Sequence, residues 1–165
     1  MDQFKEQLVR AQNVGKYKTV KILMYILGVL AVLSILTGNF MLGLLLAAIA
    51  GILFYVKRFF YLEFEYVITN GEVDVDVIYE TKTRKKKMSF NMKEVSLLAP
   101  YDSDAYKALN NKPSKVITAI PDGNKDRAYV AVVTEGNDRA QLIFVPNQDF
   151  VNICFLFNPK VVKKN

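Results

Sequence analysis

A run of basic side chains stands near the middle of the sequence. Thr81–Met88 reads TKTRKKKM, and five of its first seven residues are basic. Clustered Lys and Arg attract anionic groups such as lipid headgroups or nucleic-acid phosphates. Three interpretations stay open: a solvated hairpin paired with acidic residues, contact with an anionic membrane surface, or contact with a protein partner. The candidate lipid contacts are Lys82, Arg84, Lys86, Lys57 and Arg58.

The pattern around this run predicts a β-hairpin whose register follows from burial. We expect three apolar pairs on one face: Val77–Met88, Val75–Phe90 and Val73–Met92. On the other face this register pairs Glu80 with Lys85 and sets Asp76 near Lys87. A register shifted by one would place Lys85 and Lys87 opposite Val77 and Val75, which the cost of burying a charge disfavours. This register assigns no cross-strand partner to Lys82, Arg84 and Lys86, so these three are the residues of the run that are candidates for contact with lipid.

Few other residues suggest chemistry. The chain has no His and a single cysteine, Cys154, on an apolar helical stripe where a buried structural thiol is expected. Asp74 and Asp76 share a strand face, and Asp102 and Asp104 lie in a polar loop, but neither pair completes a calcium loop or an acid–base constellation. We therefore expect no catalytic residue, no cofactor and no metal site, and a protein that is not an enzyme.

The charges bracket a long apolar block. Residues 22–56 carry no charge, residues 1–21 are net positive, and Lys57 and Arg58 follow at once. A single helix of this length would exceed the hydrocarbon thickness of roughly 30 Å, so we expect two spans, Tyr17–Leu36 and Phe40–Phe59, joined by a turn at residues 37–39. The hairpin thus occupies residues 17–59. A signal peptide and a buried soluble hairpin are the weaker alternatives.

The basic residues at both ends of the hairpin place both termini in the cytoplasm of a multi-pass protein of the cell membrane. Within the second span, Gly43, Ala47 and Gly51 form a helix-packing face of small residues. Packing against the first span is favoured, and a homodimer through the second span is the alternative.

The N-terminal segment, residues 1–16, carries Phe4, Leu8 and Ala11 at helical spacing among charged residues. This spacing predicts a short amphipathic helix at the inner membrane surface, with a frayed tail as the alternative.

The rest of the chain alternates apolar and polar residues over short stretches separated by turn residues. Residues 60–158 are predicted to form seven antiparallel strands in a barrel or sandwich, capped by a C-terminal helix and followed by a basic tail at 159–165. Asn147 is the predicted N-cap of that helix. The fold class is therefore a membrane α-helical hairpin plus an all-β (α+β) domain.

Three segments resemble the pleckstrin-homology (PH) superfold, and specifically the bacterial PH-like domains attached to short membrane spans. They are EYVITNGEVDVDV (Glu65–Val77), RKKKMSFNMKEVSLL (Arg84–Leu98) and LIFVPNQDFVNICFLF (Leu142–Phe157). They look like the opening strand–turn–strand, the basic strand with its short apolar successor, and the last strand with its capping helix. The resemblance implies a PH-like fold in a family of unknown function, and it identifies no site residue.

These observations predict a scaffold or protein-interaction module that the lipid bilayer anchors and whose protein partner is not identified. The alternatives are a sensor of anionic lipid surfaces acting through residues 82–87, and an accessory subunit of a membrane enzyme or transporter. Nucleic acid is not an expected partner, because the residues after 58 are almost neutral overall.

Overall fold

The computed structural model describes residues 3–135 and 138–164. Its first half contains β1 (Phe4–Val9), α1 (Gly15–Leu36), α2 (Phe40–Val56), β2 (Leu62–Thr69), β3 (Glu72–Tyr79) and β4 (Thr83–Asn91). Its second half contains β5 (Val95–Pro100), α3 (Asp104–Lys107), β6 (Lys115–Ala119), β7 (Tyr129–Glu135), β8 (Asp138–Phe144) and α4 (Gln148–Phe157). Short 3-10 turns, Lys57–Phe60 and Met92–Glu94, lead into β2 and β5.

The strands form two four-stranded sheets, in the orders β1-β2-β3-β4 and β5-β7-β8-β6. The seven strands predicted between residues 60 and 158 are present as β2–β8, and β1 is an eighth strand outside that range. Of the predicted barrel or sandwich of antiparallel strands, the closed barrel is wrong, because neither sheet is closed, and the wholly antiparallel pairing is wrong, because β6 runs parallel to β8. The chain between β6 and β8, which includes β7, is the crossover connection that these parallel neighbours need.

The N-terminal segment is a strand, which corrects the predicted amphipathic helix. β1 pairs antiparallel with β2, with Leu8 opposite Glu65. Apolar residues four apart fit both a helix and one face of a strand, so the free edge of β2 decides between them. The Gln7 side chain holds β1 in place, because it donates to the Val145 carbonyl (3.0 Å) and accepts from the Asn147 amide (2.7 Å).

The two apolar helices form the predicted hairpin with its turn at residues 37–39, where Gly38 adopts a φ of 85°. Both helices are long and apolar enough to cross a membrane, and only 6% of an 18-residue stretch of each is buried. Most of their apolar side chains are therefore exposed in the described chain.

The main core lies between the sheets and beneath α4. Tyr66 is fully buried, and its ring meets Phe144 and Phe150 edge to face at centroid distances of 5.3 and 6.3 Å. The Asn147 side chain accepts from the Phe150 amide (2.8 Å), which confirms the predicted N-cap of α4. Cys154 is buried on the same helix, and burial raises the pKa of its thiol to about 12.

The β3–β4 hairpin has a tighter turn than the sequence predicted. Val77 faces Lys85, not Met88, and Val75 faces Met88, not Phe90, with the register shift between these pairs. Lys87 is therefore the extra residue of a β-bulge, and the bulge returns Met88 and Phe90 to the core side. The predicted register is thus wrong along the whole hairpin, by two residues beyond the bulge, whereas the predicted inward face of Met88 and Phe90 is right.

Candidate functional site

The site is the junction at which α2 meets the first sheet. The Lys57 ammonium pairs with the Glu80 carboxylate in the β3–β4 turn, and the Tyr17 hydroxyl from α1 donates to the same carboxylate oxygen (2.9 Å). Both charged side chains are mostly buried, at 11% and 18% exposure. The start of α1, the residue after α2 and the β3–β4 turn are thereby joined at one end of the helical hairpin.

The electrostatics of this junction favour the ionised pair. Burial alone would raise the pKa of Glu80, but the hydrogen bonds from Lys57 and Tyr17 and the charge of Lys57 together lower it. Lys57 also lies over the rings of Tyr17 and Phe54, at 5.8 and 4.9 Å from their centroids. Lys57, a candidate lipid contact, is therefore turned toward the protein.

The turn itself is unusual. Glu80 and Thr81 have positive φ angles of 49° and 59°, as a type I′ turn requires, and the Lys82 amide donates to the Tyr79 carbonyl (2.9 Å). Such turns usually carry Asn or Gly, which tolerate this conformation. Because neither occurs at Glu80 or Thr81, residue preferences do not indicate so tight a turn, and the predicted register is wrong there.

Two residues of the basic run are engaged by acids on the outer face of the first sheet. Arg84 donates to the Glu65 carboxylate (2.7 Å), and its Nε lies 4.0 Å from Asp76. Lys86 pairs with Asp74 at 2.8 Å. The predicted pairing of Lys85 with Glu80 and of Lys87 with Asp76 is therefore wrong, because the tight turn exchanges the faces of residues 84–86.

Lys85 and Lys87 lie on the side of β4 that faces the second sheet. The Lys87 ammonium lies 5.3 Å from the centroid of the buried Phe64 ring, and burial lowers its pKa. Neither lysine forms an ion pair within residues 3–135 and 138–164. We expected the cost of burying a charge to keep Lys85 and Lys87 off this face. That cost is avoided because β4 is an edge strand, from which the long lysine side chains reach solvent.

A cleft of about 230 Å³ separates β4 from β6. Both are edge strands of their sheets. The cleft is lined by Lys87, Met88, Ser89, Lys115, Ile117, Val133, Asp138 and Ala140. Lys115 was not predicted as a site residue, because the parallel pairing of β6 with β8 is what brings it beside the basic run.

A second, smaller pocket of about 170 Å³ lies where α2 ends and β4 begins. Its lining is Tyr55, Arg58, Phe59, Tyr79, Thr83 and Lys85. Arg58 stacks over the Tyr55 ring at 3.8 Å and lies 4.9 Å from the Phe59 centroid. Of the candidate lipid contacts, only Arg58 lines this pocket; Lys82 is an exposed residue of the adjacent turn.

The remaining acidic candidates have structural partners. Asp102 accepts from Arg127 (3.1 Å), which lowers the pKa of that carboxyl, and Asp104 lies 4.0 Å from Lys107. Within the described ranges, no three His, Cys, Asp or Glu side chains lie close enough together to hold a metal ion. Of the predicted helix-packing face of small residues, Gly43 contacts α1, whereas Ala47 and Gly51 are exposed.

Two open sheets packed against a C-terminal helix define a domain of the PH-like class, and the two helices that precede it are long and apolar enough to cross a membrane. The chain belongs to the family described as "Bacterial PH-like domain (DUF6106)", whose model matches residues 1–164. The match includes β1 and the helical hairpin, which agrees with the place of β1 in the first sheet. No curated protein and no solved structure matches the chain significantly.

Proposed function

We propose that the protein is an integral protein of the bacterial cell membrane, with α1 and α2 crossing the bilayer and both termini in the cytoplasm. The support is the length and exposure of the two helices and the basic residues that flank both ends of the hairpin. The turn at residues 37–39 carries no charge, as expected of a short loop on the outer side.

Topology is tested with reporters. A fluorescent protein fused after the C-terminus is expected to be active, because it stays in the cytoplasm, whereas a phosphatase that needs the oxidising exterior is expected to be inactive there. The same phosphatase inserted at Gly38 is expected to be active. Phosphatase activity at the C-terminus would contradict the proposed orientation.

The domain acts, in this proposal, as a non-catalytic module that binds a partner protein at the cytoplasmic face. The observation that carries it is the open cleft between the β4 and β6 edges. Edge strands expose unpaired backbone donors and acceptors, and an extended segment of another protein can add to them as a further strand. The side chains that line the cleft then select the segment.

The charges of the cleft favour an acidic partner segment. Lys87 and Lys115 line it, Lys85 lies on the same side of β4, and Asp138 is the single acidic residue among the described residues of its lining. An extended segment with one or two carboxylates near an apolar residue would meet both the lysines and the Met88 and Ile117 side chains.

The junction supports this role by fixing the direction of the cleft. The Lys57–Glu80 pair and the contact of the Tyr17 and Tyr61 rings, with centroids 5.3 Å apart, join the helices to the sheet that carries β4. A domain held in this way presents its open edge in one orientation to other membrane proteins.

The test is site-specific photocrosslinking of the full chain in its own cells. A photoreactive phenylalanine analogue replaces Val116, which lies on β6 with half of its surface exposed. We expect one discrete adduct with a second protein whose crosslinked peptide is acidic and extended. The control position is Leu156 on α4, which is 65% exposed and remote from the cleft, and it should give no such adduct.

A charge variant shows whether the cleft selects the partner. Lys115→Glu should abolish the adduct at position 116, whereas Lys125→Glu, which makes the same charge change at an exposed loop position, should leave it intact. Crosslinks to the chain itself alone, or an adduct that survives Lys115→Glu unchanged, would contradict the proposal.

A further inference from the structure

The pocket between the end of α2 and the start of β4 combines features that a lipid headgroup needs. It is lined by Tyr55 from the last turn of α2, Arg58 and Phe59 from the 3-10 turn, and Tyr79, Thr83 and Lys85 from the β3–β4 hairpin. If α2 crosses the bilayer, as the proposed function has it, these residues lie at the depth of the headgroups. The pocket is distinct from the cleft between β4 and β6.

Arg58 is held ready to bind an anion. Its guanidinium stacks over Tyr55 and also lies beside Phe59, so its plane is fixed by two aromatic rings. Its Nε is buried and has no hydrogen-bond acceptor within the described part of the chain. A buried donor without an acceptor is costly, and a phosphate oxygen would satisfy it in the bidentate geometry that Arg favours.

Lys85 supplies a second positive charge. It faces the same pocket and forms no ion pair with a described acidic residue, because the tight turn takes it away from Glu80 and Asp76. Thr83 and Tyr79, each of which carries a hydroxyl group, also line the pocket. Two cations and nearby hydroxyl groups match the oxygens of one phosphate group.

We propose that this pocket binds the phosphate group of an anionic phospholipid of the inner leaflet. A volume of about 170 Å³ is small beside the roughly 300–1,000 Å³ of pockets that enclose a drug-sized ligand. It therefore accommodates a phosphate group and leaves the acyl chains in the bilayer, beside the apolar surface of α2.

The experiment uses the full chain in detergent micelles, titrated with phosphatidylglycerol or phosphatidylcholine and observed by native mass spectrometry. We expect one phosphatidylglycerol molecule to be retained per chain and phosphatidylcholine to be lost. Arg58→Gln should weaken retention about tenfold, because it removes a charge-assisted fork of hydrogen bonds. Lys85→Gln should weaken it about fivefold, as expected for one basic residue at a membrane surface.

Two controls separate the pocket from general electrostatic attraction. Lys86→Gln removes the same charge from the neighbouring position, where Lys86 already pairs with Asp74, and should leave retention unchanged. Arg58→Lys keeps the charge but loses the planar fork and the stacking, so it should also weaken retention. Circular dichroism of each variant verifies that it is folded.

If Lys86→Gln weakens lipid retention as much as Lys85→Gln, or if Arg58→Lys retains the lipid fully, the lipid is attracted by net charge. Either result would overturn the proposed binding pocket. Displacement of the lipid by equimolar inorganic phosphate would assign the site to a soluble anion and overturn the lipid assignment. Reconstitution into nanodiscs distinguishes the two proposals. A chain that does not insert contradicts the membrane crossing, and a chain that inserts without preferring phosphatidylglycerol contradicts the pocket alone.

Discussion

Lys57 and Glu80 form an ion pair that connects the end of the second apolar helix to the turn of the basic hairpin. The pair is mostly buried, and its carboxylate also accepts from Tyr17 of the first helix. One carboxylate thus receives a donor from each apolar helix. Glu80 therefore joins the domain to the hairpin, together with the contact of the Tyr17 and Tyr61 rings.

Glu80→Gln should destabilise the folded chain by about 1–3 kcal/mol at neutral pH, because it leaves the buried Lys57 ammonium without its counter-ion. The measurement is thermal unfolding of the full chain in micelles, followed by circular dichroism. Glu72→Gln, an exposed carboxyl at the other end of β3, is the control and should change the unfolding temperature little. Equal effects of the two substitutions would contradict the role of the junction.

The same pair predicts a pH dependence. The pKa of Glu80 in the folded chain lies below its ordinary value of 4.5, so its stabilisation is fully present above that value and is lost as the pH falls through the folded-state pKa. The native chain should therefore lose stability on acidification, and Glu80→Gln should lose less. A native-minus-variant difference that does not change between about pH 3 and pH 7 would argue against this linkage.

Arg84 and Glu65 predict a pH dependence of stability opposite to that of the Lys57–Glu80 pair. Burial raises the pKa of Glu65 although the charge of Arg84 lowers it, so the contribution of Glu65 to stability falls as the pH rises from 4.5 through the folded-state pKa. Arg84→Gln removes the compensating charge and should steepen this fall. We expect a loss of about 1–2 kcal/mol at neutral pH, a value reduced for the 57% exposure of Arg84.

Unfolding temperatures measured across pH test this prediction. The double variant Glu65→Gln/Arg84→Gln should recover most of the loss, since no buried carboxylate is then left unpaired. Lys86→Gln is the matched control. Because hydrogen bonds from Lys86 and Ser89 lower the pKa of Asp74 below its ordinary value of 3.8, the contribution of Lys86 is present above that value and is lost on acidification. Lys86→Gln should therefore lower the unfolding temperature slightly at neutral pH and leave it unchanged at low pH. A flat profile for Arg84→Gln would contradict the assignment.

Tyr66 predicts a coupling between the sheets. Its buried hydroxyl, on β2, donates to the Ala119 carbonyl of β6 and accepts from the Val145 amide (3.4 Å) beyond β8. Tyr66→Phe leaves both groups without this partner and should cost about 1–3 kcal/mol. Tyr129→Phe is the control, because the Tyr129 hydroxyl donates to Lys164 near the chain end, where water can replace it. Similar losses of stability in both variants would show that the buried hydrogen bonds of Tyr66 contribute no more than the hydrogen bond of Tyr129.

The helical hairpin, most strands and the capping helix were predictable because each depends on local pattern. The turn at Gly38 and the cap at Asn147 carry residues whose conformational preferences identify them without tertiary information. The two-sheet arrangement was not predictable, because the parallel pairing of β6 with β8 depends on contacts across a long connection.

The candidate site was predicted only in part, for a physical reason that lies in one turn. Glu80 and Thr81 adopt left-handed conformations that their side chains do not favour, so no local signal placed the turn there. The bulge at Lys87 then returns Met88 to the core side of the sheet. The alternation of apolar residues therefore looks the same with or without the register shift and does not reveal it. Lys85 and Lys87, which were predicted to be paired, therefore form no ion pair with a described residue, whereas Arg84 and Lys86 do.

Gly43 and Gly51 distinguish packing within the hairpin from association between copies of the chain. A Cβ at Gly43 would lie 2.5 Å from the Ile35 side chain and 3.0 Å from the Ala31 carbonyl oxygen, whereas a Cβ at Gly51 meets nothing within 4 Å. Gly43→Ala should therefore lower the unfolding temperature in micelles, by a destabilisation of about 1–3 kcal/mol, because the α1 backbone must move. Gly51→Ala should leave the temperature unchanged or raise it, since Ala favours the helix. Light scattering of the same samples reports the oligomeric state, and a dimer that Gly51→Ala dissociates would assign the exposed part of the small-residue face to contact between copies.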